Sequence, residues 1–442
     1  MSRIFRQATR TSVAAGVIAL LAACGGGGDG GEPPPNNNPP VLACLALPAE
    51  VTWHADTSLS SEWKDVRVDW RNRIWLAGYD RGRLGDVNLE PGGDARGVLR
   101  MLSPTGEEQF DSGARLDSPG ADVAEALHID AGGRIAVAGR TTGVLAGGPN
   151  RGQFDTFVAR LDATVPAAAW QLVQTGDERP QHPRRIDQLD AGALVLAGLS
   201  DDYVPTNYVA EWSDTMASRV DVGGDGALAA AWSHRSQSAE PDAGAALAVH
   251  QGQVFVGGTV ISGAQRGMFV RKLSAAGEPL WTARYTAIGL DRVAALVSLP
   301  DGSLLMAGSV TGTFRGGTSA GEQDLVVARI SAVDGAVFWS RQIGSAGVDW
   351  LTDAKVDAQG RIWLYGETDG SFVAGHTPAG NTDLFVLRLA ADGSLQRAWQ
   401  WGTASDEAAT GMALDSCGRA VAAGSSGDSR SRRALLWFPQ GQ

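Results

Sequence analysis

The chain has 442 residues, 43% hydrophobic and 19% charged, with a formal net charge of −12. A single core stops growing at about 250–300 residues, so a chain this long splits its core or repeats it. The acidic balance excludes a nucleic-acid binder, which needs a basic face, and the 58 glycines have no three-residue period, which excludes collagen.

The first segment reads as an address. Arg3, Arg6 and Arg10 precede a short uncharged apolar run, Val13 to Ala23. The run is too short for an ordinary membrane helix and has the flanks of a signal peptide. It ends in Leu21-Ala22-Ala23-Cys24, which resembles the lipobox of bacterial lipoproteins. The resemblance implies cleavage before Cys24, a diacylglyceryl group on its sulfur and a palmitate-type acyl chain on the new amine; several chains together anchor stably. Gly25, in place of an aspartate, implies the outer membrane of a Gram-negative envelope. Secretion without lipid is the alternative. Residues 25–40 are Gly-rich and then Pro- and Asn-rich, a flexible and then extended tether.

Beyond residue 50 the chain repeats. Seven segments carry an apolar run, a tight turn and a second apolar run reaching a glycine: Gly78, Gly139, Gly198, Gly258, Gly308, Gly366 and Gly424. The second runs are five or six residues long, rich in Val, Ile, Leu and Trp, and bounded by turn residues, so they are read as strands apolar on both faces. Each unit offers a second hairpin, whose last strand carries Trp170, Trp232, Trp281, Trp339 or Trp399, with Phe110 nearby in the first unit. Four short antiparallel strands at a fixed period describe a propeller blade. The expected fold is an all-β, seven-bladed β-propeller of four-stranded antiparallel blades. The seventh unit runs out of chain after three strands, so the strand near Val51 to Ala55 is expected to complete it and close the ring. The domain reading is 1–23 signal peptide, 24–42 lipidated cysteine and tether, and 43–442 propeller.

The chain has three cysteines. Cys44 precedes the closing strand and Cys417 lies in the first turn of the last unit, which puts both at one edge of one blade. An exported chain can oxidise the pair to a disulfide; two unpaired thiols are the alternative.

The repeats resemble the SBBP-type propeller repeats of bacterial envelope and extracellular proteins, best in residues 344–372 and 381–399. The shared features are a Gly-rich lead-in with Asp349, a Val-Asp-x-x-Gly turn, Gly-x-Thr after the second strand and the Asp-x-Phe-Val strand. The third unit departs from the pattern at 178–188, and the fourth has His250 in place of the turn aspartate. The resemblance implies architecture and carries no single activity.

Candidate functional residues follow from the repeats. Glu62, Asp122, Asp242, Asp291, Asp349 and Asp406 stand just before the first strand of their units. They are read either as an acidic ring at a mouth, able to bind a basic partner or calcium, or as carboxylates that accept backbone N–H bonds between blades. Asp155, Asp324 and Asp383 precede third strands and read as turn chemistry. Trp63 and Trp350 follow acidic positions and are candidates for stacking on a ligand or for burial. Arg179, His182, Arg184 and Arg185 break the pattern of the third unit and suit a carboxylate or phosphate, or a pairing with the neighbouring acidic groups. The long links between second and third strands share a face with the acidic positions, where binding residues are expected.

No metal-protease, nucleophile-elbow, Cys-x-x-Cys or phosphate-loop signature is present. The expectation is a monomeric, non-catalytic envelope lipoprotein that binds a protein or glycan partner, uses no cofactor unless calcium, and touches membrane through its lipid alone. The alternative is an extracellular propeller enzyme acting on a glycan or lactone through the acidic mouth.

Overall fold

The computed structural model describes residues 52–56, 61–81, 95–111, 116–145, 150–151, 153–162, 170–201, 213–236, 242–262, 265–285, 291–426 and 432–438. The expected signal peptide, Cys24, the expected tether and Cys44 lie outside the described residues. The chain divides into two units, Met1–Pro40 and Val41–Gln442; only the second contains described residues.

Strand β1 is Thr52–Asp56. Six sheets then follow, each of four consecutive strands. The first has β2 Ser61–Val68, β3 Ile74–Arg81, β4 Ala95–Leu102 and β5 Glu108–Asp111; the second has β6 Asp122–Ile129, β7 Arg134–Thr141, β8 Asp155–Asp162 and β9 Gln171–Thr175. The third has β10 Gln181–Asp190, β11 Ala193–Asp201, β12 Ser213–Val222 and β13 Leu228–Arg235; the fourth has β14 Asp242–His250, β15 Gln253–Ser262, β16 Gln265–Leu273 and β17 Pro279–Tyr285. The fifth has β18 Arg292–Ser298, β19 Ser303–Thr311, β20 Gln323–Ser331 and β21 Val337–Ile343; the sixth has β22 Asp349–Val356, β23 Ile362–Thr368, β24 Asp383–Leu389 and β25 Leu395–Trp401. The last strands are β26 Glu407–Leu414, β27 Ala420–Ser426 and β28 Arg432–Phe438, and they make a composite four-stranded sheet with β1 in the order β1-β28-β27-β26.

The fold is an all-β propeller with four-stranded antiparallel blades. First strands of successive sheets pack against one another, and β26 contacts both β22 and β2, so these strands line a common axis. The apolar second strands are buried because each is sandwiched between two sheets. Trp75, Leu99 and Met101 of the first sheet meet Leu127, Val137 and Phe157 of the second. Leu305 and Val327 of the fifth meet Leu364 and Leu387 of the sixth. The fourth-strand tryptophans belong to this packing: Trp399 stacks on Trp363 with ring centroids 5.8 Å apart and planes 8° apart.

The repeated glycines do not end their strands, as the sequence suggests, but lie inside them. Every first strand has a bulge, for example between Leu351 and Asp353 and between Trp63 and Asp65. The carbonyl just before the bulge presses against the glycine of the second strand. A Cβ on Gly366 would lie 1.9 Å from the Trp350 carbonyl oxygen, and one on Gly78 would lie 1.9 Å from that of Glu62. Glycine is what lets the bulge, and hence the inner-strand geometry, repeat.

Candidate functional site

The acidic positions sit at or beside the starts of the first strands, and four of them are buried. Asp122, Asp291 and Asp349 are 0% exposed and Asp242 is 2% exposed. Asp349 accepts from the Ser345 amide at 2.6 Å, the Ser345 hydroxyl at 2.8 Å and the Thr368 hydroxyl at 2.5 Å. Asp122 accepts in the same way from Ser118. Asp242 accepts from the Thr215 amide at 2.8 Å and from Arg271 at 3.1 Å, and Asp291 from the Thr311 amide at 2.9 Å. Burial pushes Asp349 up to about 6, with Thr368 and Ser345 opposing, and it raises Asp122 above the ordinary carboxylate range.

Two of the six positions are corrected. In the composite sheet the equivalent group is Glu407, 2% exposed, which takes bonds from Thr403 and Ser426; Asp406 is exposed and accepts the Asn381 amide at 3.1 Å. Counted back from the bulge, the β2 residue equivalent to Asp349 is Ser61, and Glu62 is one residue further on, so its side chain points to the opposite face. Glu62 accepts from Tyr79 and Lys64, each at 2.6 Å. The same register separates the two tryptophans. Trp63 is 4% exposed in the core, whereas Trp350 is half-buried beneath the Arg292 guanidinium, 5.0 Å from its ring centroid.

The third-strand aspartates are part of a staple that sequence reading missed. Gln174, Gln342 and Gln400 donate to Asp155, Asp324 and Asp383 at 3.1, 2.7 and 3.0 Å. The same amides bind both edges of the preceding link; Gln342 donates to the Gly312 carbonyl at 2.6 Å and accepts the Phe314 amide at 2.9 Å. The readable signal was Gln-x-Gly at the end of the fourth strand.

The third unit's cations divide between surface and axis. Arg179 is half-buried before β10, and its amide donates to Asp177. His182 is 2% exposed, with Arg140 2.8 Å from its Nδ1. Arg184 approaches Glu125 at 3.8 Å. Burial raises the Glu125 carboxyl, but Arg140, Arg184, Lys64 and His182 together hold it below its ordinary value. Arg185 reaches from β10 to the Thr352 carbonyl on β22 at 3.3 Å, bridging the axis. In β2 and β22 an aspartate occupies the first position after the bulge and pairs two residues on, Asp65 with Arg67 at 2.5 Å and Asp353 with Lys355 at 2.7 Å. In β10 the order is reversed: Arg185 holds the aspartate's position and Asp187 the cation's. Asp187 lies 3.1 Å from His128 Nδ1.

Between the bulges and the tight turns the axis holds a cavity of about 230 Å³, lined by residues of β2, β6, β10, β14, β18 and β22. This is the end opposite the long links, where the sequence reading placed binding. Among the described residues, no three His, Cys, Asp or Glu side chains gather as a metal set, and no helix is long and apolar enough to cross a membrane.

No family model and no curated protein matches the chain. Similar solved structures include a catalytically inactive virginiamycin B lyase from Staphylococcus aureus with quinupristin, at 9% identity and TM-score 0.48 over 88% of this chain and 100% of that one. Another is Sqt1 of Chaetomium thermophilum bound to the N-terminus of ribosomal protein L10, at 11% identity and TM-score 0.47 over 86% and 97% of the two chains. A third is YCF48 bound to a D1 peptide, at 14% identity and TM-score 0.47 over 91% and 99%. The TM-scores lie below 0.5, so the fold assignment rests on the strand pairing.

Proposed function

We propose that the protein is a non-catalytic binding propeller, held at the cell envelope by lipid on Cys24 and presenting its ring to a protein or glycan partner. The observation that carries this is the use of the carboxylates. The buried acids at the first-strand starts are bonded to hydroxyls and amides of their own or neighbouring blades, so they build the ring and are not free to act on a substrate. Asp349 illustrates the point. A carboxyl poised near neutrality suits general-acid chemistry, yet Asp349 is 0% exposed and holds three local donors.

The composite sheet is read as a seventh blade and as the clasp of the ring. Thr52 pairs with Trp437 at the end of β28, the same edge as the β26–β27 turn that holds Cys417. The chain therefore enters β1 at the edge occupied by Cys417, which supports a Cys44–Cys417 disulfide. Mass measurement without reductant is expected to find no free thiol on either residue; two free thiols would remove that bond from the proposal.

The test of the function is capture from detergent-solubilised envelopes with the full lipidated chain, beside Cys24→Ala. The expected result is a stoichiometric partner with the parent chain, and loss of both palmitate label and membrane fractionation in C24A. A folded ring that retains no partner and turns over a glycan or lactone would favour the enzyme.

A further inference from the structure

The axial cavity has two unlike walls. Arg67, Arg185, Asp187, Asp353, Lys355 and His128 lie among its lining residues, and so does an apolar arc from β14 and β18 that includes Leu247, Val249, Leu296 and Val297. Most of the charge is committed. Lys355 donates to both oxygens of Asp353 at 2.7 Å, and Arg67 is 2.5 Å from Asp65. Arg185 differs because its neighbour two residues on is Asp187, which faces His128 instead. The Arg185 guanidinium donates only to carbonyls, those of Arg184 at 3.0 Å and Thr352 at 3.3 Å, and has no carboxylate within 4.0 Å among the described residues. A guanidinium carries five donors in a fork that fits a planar carboxylate. A second group is also unclaimed: His128 Nε2 is buried with no hydrogen-bond partner.

The geometry points to a binding site for a small organic monocarboxylate with a short apolar body, its carboxylate on Arg185 and its body against Leu247, Val249, Leu296 and Val297. Its charge is set by Arg185, because Arg67 is matched by Asp65 and Lys355 by Asp353. A single guanidinium that has no carboxylate of its own suits one planar monocarboxylate. Its size is set by the volume. A cavity of about 150 Å³ admits benzene, so one of about 230 Å³ has room for a ring or short chain together with a carboxylate. This inference rests on the reading of the protein as a binding module and names a ligand for it.

The experiment is calorimetric titration of the full lipidated chain in detergent with phenylacetate, and with phenethylamine, benzyl alcohol and inorganic phosphate as controls. Saturable binding of phenylacetate alone is expected. Arg185→Leu is expected to weaken it about tenfold or more, the loss of charge-assisted hydrogen bonds. Val249→Trp, which fills the cavity and leaves Arg185 in place, is expected to abolish it, and this variant keeps the test open if Arg185→Leu does not fold. Absence of phenylacetate binding, equal binding of the amine or alcohol, or unchanged affinity in a folded Arg185→Leu overturns the assignment. Envelope capture reports on the binding-module reading separately: a partner retained by a ring that ignores phenylacetate sinks the cavity site alone.

Discussion

The side-chain amide of Gln342 donates to Asp324 Oδ2 at 2.7 Å, while its carbonyl oxygen receives the Phe314 amide from the link between β19 and β20. One residue thus fastens a long link to the strand that follows it. Replacement by leucine leaves the buried Asp324 and the link backbone short of partners, at a cost of about 1–3 kcal/mol. Urea unfolding should show that loss, and amides in 312–320 should exchange faster in Gln342→Leu. Unchanged exchange there would refute the staple.

The bulge glycines give a graded prediction. An added Cβ would fall 1.9 Å from a carbonyl oxygen at Gly366 but 2.9 Å away at Gly424. Gly366→Ala is therefore expected to destabilise by several kcal/mol, at the upper end for single substitutions, and Gly424→Ala by clearly less. Paired urea midpoints check the order, and a reversal would show that the bulges relax freely.

Asp349 sets a pH dependence. Its carboxyl is pushed up to about 6 by burial, so between the ordinary carboxylate value and about 6 the native state keeps a proton that the unfolded chain has released. Stability from this group therefore falls as pH rises through that window and levels off above it. Asp349→Asn carries a constant penalty, because its amide faces the Ser345 N–H. The measurable sign is a stability slope between about pH 4 and 6 that is more positive in the variant than in the parent; parallel slopes would contradict the shift.

Asp357 organises a tight turn through four bonds, from the Gln359 and Arg361 amides at 3.0 and 2.9 Å, Arg361 Nε at 2.6 Å and Trp363 Nε1 at 2.9 Å. Asp357→Ala orphans the indole of a fully buried tryptophan. A loss of about 2 kcal/mol is expected, with a change in near-ultraviolet circular dichroism from the Trp363–Trp399 stack. A wild-type spectrum would mean that the turn holds without the aspartate.

The blades were legible because their signals are local: a Gly-bounded apolar run, an aspartate turn and a fourth-strand tryptophan recur together. The site was not. Whether Asp349 faces solvent depends on Ser345 and Thr368, and Thr368 is nineteen residues away on a different strand. Glu62 was misplaced because a shift of one residue turns a side chain to the other face. Arg185 was noticed as an irregularity, but its reach to Thr352 and the unlike walls around it depend on strands from several sheets. The exchanged order of Arg185 and Asp187 relative to Asp65–Arg67 and Asp353–Lys355 was on view in the sequence, and aligning the repeats at their bulges would have exposed it.

The pairing of β1 with β28 also sets a timetable. Among the described strands, the one synthesised first pairs with the one synthesised last, so until β28 emerges β1 waits with an unpaired edge. Individual blades can assemble in order as they emerge, but the composite sheet forms only when β28 arrives. A chain stalled or cleaved before β28 would carry two unsatisfied edges, one at β1 and one at its last complete hairpin, each a template for pairing with another copy. Quality control of such a chain would have to discriminate by whether β28 has paired with β1.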